Sequence, residues 1–210
     1  MSEISRENVV AAAERIAGSI ERTPLIASEV AGESVWLKCE CLQTGGAFKL
    51  RGATNRLLQL SAAERARGVV AFSSGNHARG VALAARRLGI RAIIVMPADA
   101  PAVKVEGTRA EGAEIVFYDR RTESREAIAA RLADESGGTV VPSFDVVSVS
   151  DAEVEAAVRF AFEQHQLVVE PGGAAALAAV LAGTVAAEPD MVIVLSGGNV
   201  DPALHARMVA

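Results

Sequence analysis

Aromatic residues make up only 4% of this 210-residue chain, with a single tryptophan and a single tyrosine. That scarcity leaves no stacking platform for exposed bases. Positive charge is not in excess either: 21 Lys and Arg stand against 26 Asp and Glu, for a net charge of -5. A field of that sign attracts neither nucleic acid nor an anionic membrane surface. No apolar stretch reaches spanning length, and the richest, Ala174 to Gly183, is far too short. The opening MSEISRENVV has no basic region followed by an apolar run, so no export signal is read there. These absences predict a soluble, cytoplasmic protein with no nucleic-acid partner and no membrane partner.

Cysteine is nearly missing as well. Cys39 and Cys41 stand at i and i+2 in a run that reads as a strand, on the same face as Leu37. A zinc site needs further ligands at plausible spacing, and the histidines (His77, His165, His205) are scattered. Buried thiols and no metal are the expectation.

What is present is a globular composition, 50% hydrophobic and 22% charged, far from that of disordered chains. Glu7 to Ile20 has helical periodicity, and Val35 to Glu40 alternates like a strand. Short β-branched runs follow at Val69–Phe72, Ala92–Met96, Glu114–Tyr118 and Thr139–Val141. Helical stretches separate them at Asn76–Leu88, Pro101–Glu111 and Thr122–Glu135. Ser150 and Glu153 form an S-x-x-E capping box that opens a helix to about His165. Leu167–Glu170 reads as a short strand, Gly172–Leu181 as a helix and Met191–Leu195 as a final buried strand. Strands alternating with helices of this length imply right-handed crossovers and an α/β fold, with open parallel twisted sheets carrying helices on both faces.

Ligands of such sheets bind at the carboxyl ends of strands. FSSGNHARG, EPGGAAAL and LSGGNVD each follow a strand there, offering backbone N–H groups and no bulk to obstruct an anion. Each alone is ordinary turn chemistry. No Walker loop and no G-x-G-x-x-G occurs, so a nucleotide has no specific support. CLQTGGAFKLRGA adds a lysine, Lys49, behind Gly45, Gly46 and Ala47. A lysine desolvated beside such a turn serves as nucleophile or base. Taken singly, an exposed helix lysine is the commoner case.

The combination is more specific. KCECLQTGGAFKLRGA, SSGNHARGVALAA, VMPADAPAVKVEGTRAEGAEIVFYD, VVEPGGAAALAAVLAG and VLSGGNVD occur in that order. Together they resemble the pyridoxal-phosphate-dependent threonine/serine dehydratase family, the fold-type II group that includes serine racemase. The resemblance implies a two-domain enzyme: residues 1–51 and 144–210 in the large cofactor domain, residues 52–143 in the small domain. It implies that Lys49 holds pyridoxal 5'-phosphate as a Schiff base, that Asn76 bonds the 3-oxygen, and that Ser196, with Gly197 beside it, faces the pyridine nitrogen. Ser73, Ser74, Gly75, Asn76 and His77 would bind the substrate carboxylate, with Ser74 as a second acid/base opposite the lysine. Arg51 reads as structural and Phe48 as a core residue. Arg79 departs from the glutamine usual at its position. Arg125 matches an arginine near the substrate in some relatives, although a surface helix position accounts for it too.

The implied reaction is ammonia-lyase chemistry on a hydroxy-amino acid of the threonine, serine or hydroxyaspartate type, in a homo-oligomer. One element departs from the pattern. Relatives carry a long segment between PSFD and VSD that includes a glycine-rich phosphate loop, whereas Val141–Asp145 here runs straight into VVSVSDAEVEAA. The large domain is therefore expected to be incomplete, exposing sheet edges and apolar surface. Two alternatives stay open: an impaired remnant without the phosphate loop, and an amino-acid racemase.

Overall fold

The computed structural model describes residues 6–142, 149–188 and 190–210. The PSFD-to-VSD junction, at 143–148, lies outside the described residues. The chain divides into two compact units, Met1–Glu21 with Lys49–Ser143, and Arg22–Phe48 with Phe144–Ala210. The division expected from sequence placed all of 1–51 together. By contacts, the first 21 residues join the unit that begins at Lys49. The reason is local. Ile20 packs on that unit's core, and Arg51 and Arg87 donate to the carbonyls of Glu21 (3.0 Å) and Ser19 (2.6 Å).

In this first unit, β3 (Val69–Phe72), β4 (Ala92–Pro97), β5 (Glu114–Tyr118) and β6 (Thr139–Val141) form a four-stranded sheet of order β5-β4-β3-β6. Every pairing in it is parallel. The strands alternate in two-sided fashion. Val69, Ala71, Ile94 and Met96 meet α2 (Lys49–Leu58), α4 (Asn76–Arg87) and α5 (Ala102–Ala110). Val70, Ile93 and Val95 meet Ala129 and Ala133 of α6 (Arg125–Ser136) on the other face. Such coverage is why these strands read as continuous apolar runs. α1 (Arg6–Ile16) buries only Ile16. α3 (Ala62–Arg67) opens on a capping box in which Ser61 and Glu64 satisfy each other's backbone N–H.

The second unit carries a three-stranded sheet, β1 (Leu25–Val30), β2 (Glu33–Cys39) and β7 (Val192–Leu195), in the order β1-β2-β7. β2 and β7 are parallel, but β1 and β2 form an antiparallel hairpin, so this sheet is mixed rather than wholly parallel. Its turn residues Ala31 and Gly32 both have positive φ, 53° and 85°, the conformation of a tight hairpin turn. Leu37, Cys39, Ile193 and Leu195 are buried with α7 (Asp151–His165), α8 (Pro171–Leu181) and α9 (Pro202–Val209). The opposite face leaves Leu25, Trp36, Val192 and Val194 between 39% and 54% exposed. Residues 167–170, read as a strand, belong to no sheet. Cys39 and Cys41 are buried and unbridged, and burial pushes the Cys41 thiol up to about 11.

Candidate active site

The strand order puts a topological switch at β3. From it the chain runs to β4 and β5 on one side, and β6 returns on the other. A crevice at the carboxyl end of such a strand is where open α/β sheets bind ligands. The segment there is Ser73–Gly75. Ser73 N–H donates to Val95 O at 3.1 Å, continuing the ladder, and Ser73 Oγ accepts Gly75 N–H at 3.2 Å. Gly75 is the N-cap of the 12-residue helix α4 and makes no side-chain cap, and the start of a helix carries partial positive charge. Asn76 is the first residue of that helix.

His77 faces inward. It is buried, and its Nε2 lies 3.0 Å from Val141 O at the end of β6. A carbonyl can only accept, so Nε2 carries the proton. Burial, above all, holds its pKa below the usual histidine value, and the Lys49 charge adds to that. A neutral ring tied to β6 anchors the start of α4.

Lys49 opens α2 in the same unit. A Cβ on Gly80, one turn into α4, would stand 3.1 Å from the Lys49 carbonyl carbon and 3.2 Å from Leu50 N. The absence of a side chain at 80 is what lets the two helices approach there. Lys49, Ser73, Ser74, Gly75, Asn76 and His77 thus share one unit, while Ser196 and Gly197 belong to the other.

Ser196 follows β7 directly, and its backbone is fixed twice. Its N–H donates to Gly173 O at 3.0 Å, and its carbonyl accepts Phe48 N–H at 3.0 Å. Gly197 bridges to Ala47, and its carbonyl accepts Glu170 N–H at 3.0 Å. Asn199, which sequence reasoning assigned no role, donates from Nδ2 to Gly45 O at 2.7 Å. A Cβ on Gly46 would collide with the Asn199 side chain, its Cγ at 2.8 Å. Its presence in LSGGNVD was a signal, but nothing local in sequence links it to Gly45.

The remaining positions take structural places. Phe48, expected in the core, is 39% exposed. Arg79 lies 3.7 Å from Glu111 of the α5 end, whose carboxylate also meets Arg86 at 2.9 Å. Arg125 pairs with Glu126 and sits 5.4 Å over the Phe72 ring. Among the described residues, no group of three or more His, Cys, Asp and Glu is placed to hold a metal ion. Nor is any described helix long and apolar enough to cross a membrane.

In the first unit, the amine of Lys49 and the amide of Asn76 are of the chemical types that suit the aldehyde and ring oxygen of pyridoxal phosphate. The phosphate needs several N–H donors. Of the glycines at 172–173 and 197–198, Gly173 and Gly198 are closed off by their own chain, whereas nothing stands within 4 Å of a Cβ on Gly172. A Cβ on Gly173 would overlap Gly197 backbone, and one on Gly198 would meet Val168 O at 2.6 Å. Their smallness serves close approach between segments of the same chain.

The chain is 46% identical over 196 residues to an L-threo-3-hydroxyaspartate ammonia-lyase of Pseudomonas sp, covering 90% of this chain and 61% of that protein. It is 43% identical over 143 residues to a serine racemase of Schizosaccharomyces pombe, covering 66% of this chain and 44% of that one. The chain thus spans less than two thirds of the length of these relatives. Maize serine racemase superposes with a TM-score of 0.87 at 26% identity, over 96% of this chain and 95% of that one, which gives the fold-type II architecture. Residues 16–146 match the pyridoxal-phosphate dependent enzyme family, and the chain belongs to it.

Proposed function

We propose that this chain is an ammonia-lyase that converts a β-hydroxy-α-amino acid to a 2-oxo acid and ammonia. The observation that carries the reading is the 46% identity to an L-threo-3-hydroxyaspartate ammonia-lyase, together with Lys49 standing behind the small residues Gly45, Gly46 and Ala47. When bound, pyridoxal phosphate supplies an electron sink for negative charge at the substrate α-carbon.

In this reading, Lys49 holds the cofactor through its amine, and that amine takes the proton from the substrate α-carbon. Asn76 and Ser196 orient the ring. A hydroxyl at 196, unlike a carboxylate, does not hold a proton on the ring nitrogen, which favours loss of the β-hydroxyl over competing outcomes. The Ser73–His77 loop receives the substrate carboxylate through hydroxyls and N–H groups at the start of α4. Ser74 stands ready to exchange a proton on the other face. The bookkeeping closes: α-proton and β-hydroxyl leave as water, water returns at the α-carbon, and ammonia departs.

Racemisation is the second reading, favoured by Ser74 and by the 43% identity to a serine racemase. The apolar sheet face around Trp36 and Val192 supports self-association, and the reaction is assigned to the cytoplasm. The test is a panel of L-threo-3-hydroxyaspartate, threonine and serine with added cofactor, following 2-oxo acid and the chirality of remaining substrate. Elimination predicts 2-oxo acid from at least one substrate, lost ~1,000-fold or more in Lys49→Ala. Inverted substrate without 2-oxo acid would make it a racemase. Neither product from a folded, cofactor-supplied protein would make it an impaired remnant.

A further inference from the structure

The chain that enters Lys49 passes through two consecutive left-handed glycines, Gly45 (φ 79°) and Gly46 (φ 76°). Glycine loses more freedom on ordering than any other residue, so such a turn keeps its shape only where its polar groups are tied down. Within the turn, Gly46 N–H donates to Gln43 O at 2.7 Å. The other ties come from the chain after β7, in the same unit. Phe48 N–H donates to Ser196 O at 3.0 Å, Ala47 bridges to Gly197, and Gly198 N–H donates to Gly46 O at 2.8 Å. One tie is made by a side chain: Asn199 Nδ2 donates to Gly45 O at 2.7 Å.

The main-chain contacts are open to any residue types, whereas the Asn199 contact needs a particular one. A carbonyl only accepts, so its partner must donate, and an ionised aspartate of the same size has no proton to give. The Asn199 amide also fills the space that a Cβ on Gly46 would take, so it holds both glycines of the turn. Capping of α9 does not explain the residue. Asp201 makes that cap, accepting Ala203 N–H at 2.9 Å and Leu204 N–H at 3.0 Å.

We propose that Asn199 is a positioning residue for Lys49: its amide locks the Gly45–Gly46 turn against the Ser196–Gly198 segment and so fixes the backbone that delivers Lys49. This rests on the reading of Lys49 as the residue that holds the cofactor. Phe48, the residue before Lys49, bonds the carbonyl of Ser196, so the same tie sets the chain entering the lysine against the residue assigned to the ring nitrogen.

The test uses the whole isotope-labelled chain. Hydrogen exchange and shifts of backbone amides are read without cofactor, and the affinity for pyridoxal phosphate is read from the visible band. The variants are Asn199→Ala, the isosteric Asn199→Asp, and Val158→Ala, a core change in α7 of the same unit. Trp36 N–H, bonded to Met191 O at 2.7 Å, is the internal reference for exchange. Both Asn199 variants should exchange Gly46 and Phe48 ~5-fold or more faster relative to Trp36, shift the Lys49 amide, and bind cofactor ~5-fold or more weakly. Val158→Ala should lower Tm and change none of these. Wild-type exchange and affinity in Asn199→Ala would overturn the proposal, as would wild-type behaviour of Asn199→Asp, which lacks the donor. Equal changes in Val158→Ala would overturn it too, reducing Asn199 to a stabilising residue. The cofactor reading fails separately. If wild type develops no band yet the Gly46, Phe48 and Lys49 amides respond to both Asn199 variants, the positioning stands and only the chemistry assigned to Lys49 falls.

Discussion

The backbone of Lys49 rests on Gly80: a Cβ at position 80 would lie 3.1 Å from the Lys49 carbonyl carbon and 3.3 Å from its Cβ. Two opposed effects follow from Gly80→Ala. Alanine inside a helix gains about 1 kcal/mol over glycine. Overpacking against α2 costs about 1–3 kcal/mol. Net stability should change by less than about 2 kcal/mol in a denaturant titration. Turnover should fall more, roughly 10- to 100-fold, because the contact displaces Lys49 itself. Full turnover in Gly80→Ala would separate this packing from catalysis.

His77 provides a pH signature. Its folded pKa lies below the unfolded value because burial disfavours the charged ring. The stability it contributes is therefore complete above the unfolded pKa of about 6.5, and is lost as pH falls through the folded value. His77→Gln should flatten stability against pH below about 6.5, measured by urea unfolding at several pH values. An unchanged slope would show that His77 does not titrate in that window.

The capping boxes predict a second, more acidic window. Glu64 and Glu153 have folded pKa values lowered by hydrogen bonds from Ser61 and Ser150. Their stabilisation is present above the unfolded carboxylate range and disappears as pH drops through the folded values. At neutral pH, Ser150→Ala should cost about 1 kcal/mol by loss of the α7 cap. Thermal melts of Ser150→Ala and Glu153→Gln across pH 3 to 7 check both statements: the wild type should converge on Glu153→Gln at the acid end, while Ser150→Ala keeps the deficit of its missing hydroxyl cap.

Gly173→Ala should be the most damaging substitution in the second unit. The new methyl group would meet Gly197 backbone, including its N at 2.8 Å and C at 3.0 Å, and a main chain bonded to Glu170 cannot step aside. The expected loss is about 3 kcal/mol or more, seen as a large fall in Tm or in soluble yield. Gly172→Ala is the control, since nothing lies within 4 Å of its added carbon.

The sequence was most legible where one signal had one cause. β3, β5 and β6 begin and end where the β-branched runs do, although only β3 is buried along nearly its whole length and the edge strand β5 leaves Phe117 exposed. The Ser150–Glu153 box opens α7 as its spacing requires. β1 escaped because its hairpin turn is Ala31-Gly32, and alanine in a left-handed conformation leaves no local mark. Residues 167–170 have strand-like composition, but Glu170 N–H bonds Gly197 and no ladder neighbour lies beside them. Lys49 and Asn76 of the proposed site were read from their motifs. The contacts of Gly80 with Lys49 and of Asn199 with Gly45 are long-range, and no local pattern encodes them.

The central claim is that Lys49 carries the cofactor chemistry. The most direct measurement is the visible absorbance of purified protein incubated with pyridoxal phosphate and dialysed, beside Lys49→Ala treated identically. The account predicts a band that survives dialysis in the wild type and is absent from the folded variant. An equal band in both, or none in a folded wild type, would contradict it.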